Sequence, residues 1–190
     1  MSKMIEVRWH GRGGQGAKTA AYLLAESAMQ EGKYIQAFPE YGPERMGAPM
    51  MAFTRISDNP IRIHCHVKTP QVVAVLDPTL LETVDILDGV PKDGTVVVNT
   101  AESPDSLRRT LSISGRRLFT VPATQIALET IGKPIPNTPM IGAMIKASGL
   151  LNIEAVITNT RKSFEKKFSG LVVEKNIQAI RRAYEEVKSE

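Results

Sequence analysis

The sequence predicts a layered α/β domain with a mainly parallel sheet, an inserted β-hairpin and a helical C-terminal tail. Three observations carry this expectation. An alternating run near the N-terminus passes through a glycine-rich turn straight into a helical pattern, short continuous apolar runs recur further along, and the last part of the chain has helical spacing. At 190 residues the chain is long enough for one compact core and short for two, so residues 1–190 are read as a single domain.

Ile5, Val7 and Trp9 alternate with Glu6, Arg8 and His10, the period of a strand over residues 4–10. From Gly16 onward Ala17, Ala20, Ala21, Leu24, Ala25 and Ala28 recur at helical spacing, and Gly32 supplies a stop. A short second strand fits residues 34–38. The stretch 39–49 holds three prolines and two glycines and reads as a long exposed loop. Residues 50–57 and 61–67 are strand-like on either side of Ser57-Asp58-Asn59-Pro60, a tight-turn sequence, and are expected to form the hairpin. Residues 72–76 form an apolar run of the kind buried on both faces, and Asp77-Pro78 then opens a helix expected to reach about residue 88. Residues 95–99 and 118–121 repeat the buried-strand pattern, each with a helical segment after it. Helices are expected at 140–148, 153–167 and 177–188.

Composition narrows the function. Aromatic residues are 5% of the chain, so rows of stacked bases are not expected to bind here. Lys+Arg number 24 against Asp+Glu 20, a mild excess interleaved with acids in the C-terminal helices, and no nucleic-acid-binding motif accompanies it. Cys65 is the only cysteine: it forms no internal disulfide and is too few for an iron–sulfur cluster, which takes about four thiolates. No signal-like stretch and no apolar run of ~18 residues occurs, so a cytoplasmic protein without membrane contact is expected.

The sharpest local feature is Gly11, Arg12, Gly13, Gly14, Gln15 and Gly16, a G-x-G-x-x-G spacing between strand and helix, in a Rossmann-like arrangement. Glycines let the backbone turn tightly and let a phosphate approach, and the free N–H groups opening a helix favour an anion. Arg12 and Lys18 add charge, and Thr19 and Gln15 add hydrogen-bond donors. The plainer reading is close strand–helix packing. A dinucleotide site needs an acid at the end of the second strand, and the first carboxylate there is Glu40, beyond the strand. His64-Cys65-His66 resembles a metal cluster, but on a strand the cysteine would face away from both histidines.

Residues 5–19, 39–63 and 137–146 together resemble the gamma subunits of the 2-oxoacid:ferredoxin oxidoreductase family, equivalent to domain III of the fused enzymes. The carrying motifs are Trp9-His10-Gly11-Arg12-Gly13-Gly14-Gln15-Gly16, Gly42-Pro43-Glu44-Arg45-Met46-Gly47-Ala48-Pro49 with Phe53-Thr54-Arg55-Ile56, and Asn137-Thr138-Pro139-Met140-Ile141-Gly142-Ala143. The second motif resembles the pyruvate branch more than the 2-oxoglutarate branch. The resemblance implies a non-catalytic subunit that helps assemble the complex and bind coenzyme A. It implies that thiamine diphosphate, Mg²⁺ and [4Fe-4S] clusters sit in alpha-, beta- and delta-type partners, through which ferredoxin is reached. The loop 39–49 is then expected to meet a partner through Tyr41, Glu44, Arg45, Met46 and Met50, the methionines offering adaptable apolar surface. Another 2-oxoacid specificity, a free-standing NAD(P)-dependent dehydrogenase and a ligand-free scaffold are the alternatives the residues leave open.

Overall fold

A computed structural model describes residues 4–41, 47–111 and 113–190, and of Tyr41 the backbone only. The strands are β1 (Ile5–Arg12), β2 (Tyr34–Tyr41), β3 (Pro49–Ser57), β4 (Val72–Val75), β5 (Thr95–Asn99), β6 (Arg117–Val121) and β7 (Lys188–Ser189). The helices are α1 (Ala17–Gln30), α2 (Pro104–Leu111), α3 (Ala123–Thr130), α4 (Asn137–Ser148), α5 (Ile153–Glu165) and α6 (Gly170–Glu186). The strands form one sheet in the order β2-β3-β1-β4-β5-β6-β7. Its central strands β1, β4, β5 and β6 run parallel, while β3 is antiparallel to both β1 and β2, and β7 to β6. Every residue of β4 and β5 is buried, as strands covered on both faces require.

The hairpin differs from the expected one. Residues 49–57 do form a strand, but its partner is β2, paired from Tyr34 with Ser57 to Tyr41 with Met50. Residues 61–67 form no strand. The reason is geometric: both edges of β3 are taken, by β1 and β2, so the later segment cannot pair with β3. It lies instead against the sheet, held where Arg55 Nη2 donates to the Cys65 carbonyl at 2.7 Å and Gln36 Nε2 to the Ile63 carbonyl at 2.9 Å. The second strand also runs past the expected end at residue 38. Pro39 is tolerated inside it because β2 is an edge strand.

The helix expected from 78 to 88 shrinks to a 3₁₀ turn, Pro78–Glu82. Asp77 Oδ1 caps it by accepting from Thr79 N at 2.9 Å. Asp85 Oδ1 accepts from Leu87 N at 3.0 Å, a local bond that competes with helix continuation. At the other end of the chain α6 begins at Gly170, well before the expected 177, and β7 follows it back to the sheet.

One face of the sheet carries the larger core. Val7, Trp9, Ala52, Ala74 and Val97 pack there against α1, α3, α4, α5 and α6, while the opposite face packs Val73, Val75, Val96, Val98 and Leu118 against Leu107, Ile86 and Val90. The indole of Trp9 is fully buried, and its Nε1 donates to Thr54 Oγ1 at 3.2 Å. That hydroxyl donates in turn to the Ala21 carbonyl at 2.9 Å, so one chain of bonds joins β1, β3 and α1. The helical tail is not an appendage: nearly all of α4 is buried beneath α6. Contact is closest at Gly142, where an added Cβ would stand 2.1 Å from the Ile180 carbonyl oxygen. Gly142→Ala is therefore expected to lower stability by about 1–3 kcal/mol, read as a lower urea midpoint. An unchanged midpoint would mean that α4 and α6 separate at no cost.

Candidate functional site

The glycine-rich turn follows β1 and delivers the chain into α1. Gly14 and Gly16 have φ of 96° and 83°, values that side chains rarely adopt, so the turn depends on glycine at both positions. Gly16 is also pressed against another element: a Cβ there would lie 2.6 Å from Asn137 Nδ2, at the start of α4. With Gly16 as N-cap, α1 has no side-chain cap, and its first intrahelical bond runs from Ala20 N to the Gly16 carbonyl. Among the described residues the N–H groups of Ala17, Lys18 and Thr19 have no partner outside the helix.

The structure divides the expected site residues into two groups. Arg12 and Gln15 belong to a network with the turn after β4: Gln15 Nε2 donates to Asp77 Oδ2 at 2.6 Å, and Arg12 Nε lies 3.3 Å from the same oxygen. Arg12 Nη2 donates to Thr79 Oγ1 at 3.0 Å, and Nη1 to the Gly47 carbonyl at 3.1 Å. Gln15 Oε1 accepts from Arg12 N at 2.7 Å, and Gly13 N donates to the Ala48 carbonyl at 3.2 Å. Burial alone would push Asp77 up. The bonds from Thr79 and Gln15 and the Arg12 charge outweigh it, holding the carboxyl below its usual range. The charge of Arg12 is thus already compensated.

Gly14, Gly16 and Thr19 face the other way. They border a cleft of about 480 Å³ whose other walls include Lys133, Asn137, Lys167 and Phe168. Lys18 turns from both groups, its Nζ 5.7 Å from the centre of the Tyr22 ring.

The strand order bears on the dinucleotide alternative. Because β3 stands between β1 and β2, the end of β2 lies two strand spacings, about 10 Å, from β1. Its Glu40 is paired with His66 Nδ1 at 3.1 Å. Among the described residues the acid in contact with the turn is Asp77, which follows β4 and is occupied by Arg12 and Gln15.

Of the expected interface residues, Glu44, Arg45, Met46 and the side chain of Tyr41 lie outside the described residues. Met50 is 9% exposed and packs into the larger core, since pairing with Gly11 and Tyr41 fixes it within the sheet; it is not free surface on this chain. The segment of His64, Cys65 and His66 is irregular, so strand alternation does not separate these side chains. Among the described residues, no three His, Cys, Asp or Glu groups gather as a metal site would require. No helix of the described residues is long and apolar enough to cross a membrane.

The strand alternation gives His10 no role of its own. It is 2% exposed and borders a cleft of about 200 Å³ with Glu40, Met50, Leu80 and Val84. Its Nε2 has no hydrogen-bond partner among the described residues. Burial, helped by the Arg8 guanidinium, pushes its pKa down to about 3.

The chain is an α/β domain whose first parallel strand leads through a glycine-rich turn into an uncapped helix, the geometry that many anion-binding α/β folds share. Residues 6–186 match the family model described as pyruvate ferredoxin/flavodoxin oxidoreductase, and the chain belongs to that family. It is 53% identical over 185 residues to the common gamma subunit of pyruvate/ketoisovalerate oxidoreductases from Pyrococcus abyssi, covering 97% of this chain and 98% of the relative. The crystal structure of the pyruvate oxidoreductase subunit PORC from Thermotoga maritima superposes with a TM-score of 0.88 at 45% identity, covering 99% of both chains. The 2-oxoglutarate:ferredoxin oxidoreductase from Magnetococcus marinus, solved with 2-oxoglutarate, coenzyme A and succinyl-CoA bound, shares the fold at a TM-score of 0.74 and 19% identity; the match covers 96% of this chain and 31% of that one.

The buried imidazole of His10 gives a pH signature. In the unfolded chain it takes up a proton near pH 6.5, in the fold only near 3, so between these values the unfolded state binds more protons. Stability is expected to fall as pH drops below 6.5, by up to about 1.4 kcal/mol per unit from this group. Urea unfolding of His10→Gln should show a shallower fall between pH 6.5 and 4.5 than the parent. Identical slopes would mean that His10 titrates normally in the fold.

Proposed function

We propose that this chain is the gamma-type subunit of a complex that converts pyruvate, coenzyme A and oxidised ferredoxin to acetyl-CoA, CO₂ and reduced ferredoxin. In this reading its part is to complete the assembly and to help hold coenzyme A. Thiamine diphosphate, Mg²⁺ and the iron–sulfur clusters belong to alpha-, beta- and delta-type partners. Family membership and the gamma-subunit relative support the complex. The single observation that carries the ligand is the uncapped start of α1 behind Gly14 and Gly16. Coenzyme A bears a diphosphate and a ribose 3′-phosphate, so it wants backbone N–H donors and positive potential, and it has no use for a carboxylate at its phosphorylated ribose. The helix start, with Thr19 in its first turn, supplies those donors together with the positive end of the helix dipole. The Magnetococcus enzyme, of the same fold in this region, is one that binds coenzyme A.

Two measurements test the reading. The purified chain alone is expected to show no pyruvate-dependent reduction of a viologen dye, and activity is expected to appear when partner subunits are added. Turnover by the chain alone would contradict the assignment. In the complex, Gly14→Asp is expected to raise KM for coenzyme A about tenfold or more over Gly14→Asn, which has the same strain and size but no charge. KM for pyruvate should stay the same in both. Equal KM values for coenzyme A in the two variants would show that no phosphate comes near the turn.

A further inference from the structure

The sheet ends at β2, and no strand among the described residues closes that edge. None of residues 34–40 is fully buried, and Tyr34 is 49% exposed. The direction of the backbone groups of β2 follows from the bonds of the inner strands. Glu6 and His10 turn their carbonyls away from β3, accepting from Gln71 N at 3.0 Å and Leu76 N at 2.8 Å at either end of β4, so the odd residues of β1 face β3. Gly13 agrees: its N–H donates to the Ala48 carbonyl in continuation of the β1 and β3 register, which turns the even residues of β3 toward β1. The odd residues of β3 then face β2, where they meet Tyr34, Gln36, Phe38 and Glu40. Ile35, Ala37 and Pro39 are left pointing outward, and Pro39 fits this place because it has no N–H to give to β3.

The backbone N–H and C=O groups of Ile35 and Ala37 have no backbone partner among the described residues. Proteins blunt long edge strands with charge, proline or a bulge. From Tyr34 to Phe38 the strand reads Tyr-Ile-Gln-Ala-Phe in unbroken register with β3, so it has none of the three. This stretch is also its own complement. Two antiparallel copies related by a two-fold axis at Gln36 set Ile35 opposite the other copy's Ala37, and in both such pairs each N–H meets a carbonyl. The same axis sets each Tyr34 opposite a Phe38, on the sheet face where Phe38 already packs on Phe53 with ring centres 5.2 Å apart. No like charges stand opposite one another. A shift of the axis by one residue brings in either Pro39, which has no donor, or Lys33, whose N–H is already bonded to the Ala28 carbonyl at 3.1 Å.

We infer that the free edge of β2 is an interface between two copies of this chain, joined antiparallel about Gln36 so that their two seven-stranded sheets become one. Pro39 and the engaged N–H of Lys33 confine the ladder to the Ile35 and Ala37 pairs, so the contact is short and draws on the aromatic pairs beside it. A complex built on this contact holds its gamma-type chains in pairs. The edge lies two strands away from β1 and its glycine-rich turn, so the interface stands or falls apart from coenzyme A binding.

The test is sedimentation velocity of the full chain over a range of concentrations, beside Ala37→Pro and Tyr34→Lys. The parent is expected to sediment as a dimer that dissociates on dilution. Ala37→Pro removes an outward donor and leaves the bonds to β3 intact, as Pro39 does, so it should keep the parent's circular dichroism and dimerise about tenfold or more weakly. Tyr34→Lys alters no backbone bond and should weaken the dimer about tenfold, by putting a charge in place of an aromatic partner on both sides of the axis. Amide exchange reads the same edge directly. The N–H groups of Ile35 and Ala37 are expected to exchange slowly in the dimeric parent and fast in monomeric Tyr34→Lys, while that of Gln36, turned toward β3, stays slow in both. A parent that is monomeric at every concentration, or variants that dimerise as tightly as the parent, would overturn the inference. Slow exchange at Ile35 and Ala37 that appears only when partner subunits are added to a monomeric chain would overturn it too, giving the edge to a partner's strand.

Discussion

The contact on which the site depends is the one between Gly16 and Asn137. Two helices from distant parts of the chain begin there, at the ends of the parallel strands, and no side chain separates them because Gly16 has none. A Cβ at this point would push α4 off α1. Since α4 is buried under α6, the displacement would spread into the larger core. The glycine in the turn therefore serves two purposes: it allows the positive φ that aims α1 at the cleft, and it lets a second helix start close by.

The sheet explains why the open side of the turn faces the helices. Inserting β3 between β1 and β2 moves the second strand out to the edge and removes the acid that would meet a ribose in a dinucleotide fold. The loss is offset on the other side of β1, where the turn after β4 brings in Asp77. That carboxylate anchors Arg12 and Gln15 and fixes the turn's shape, but it also makes its own side unattractive to an anion. The face of the sheet near β2 and β3 is unusually polar for an interior: Glu6 and Arg55 form a buried pair at 2.8 Å, and Arg8 Nη2 donates to the carbonyls of Ile86 and Asp88. Arg55 also donates to the Cys65 carbonyl and Glu6 N to Gln71 Oε1, which ties the segment from residue 61 to 71 to the sheet without a ladder.

Much of this fold is legible in the sequence because its central signals are local. The strands at 72–76, 95–99 and 118–121 are continuous apolar runs, and the first strand, turn and helix follow one another without interruption. The hairpin expected at residues 50–67 does not form, because strand pairing is a non-local choice. Ile61 and Ile63 alternate as a strand would, and only the full sheet shows that β3 has no edge left. The helix expected after Asp77 stops at Glu82, and the Asp85 side chain competes locally with its continuation. The site was half legible: spacing picks out Gly14, Gly16 and Thr19, but nothing local says that Arg12 is already paired with Asp77. The run of aliphatic residues ending in Asp77-Pro78 was a usable signal, since an acid directly after a buried parallel strand lies where ligands meet such sheets. Lys133, Asn137 and Lys167 come from three separate segments and are joined only by the packing of α4 and α5 against α1.

The central claim is that this chain lends the start of α1 to the phosphates of coenzyme A in the assembled oxidoreductase. The most direct measurement is a structure of the whole complex with coenzyme A bound. The account predicts phosphate density in contact with the first-turn N–H groups of α1, on the Asn137 side of Gly16. Coenzyme A held entirely by the partner subunits, with that helix start facing solvent, would contradict it.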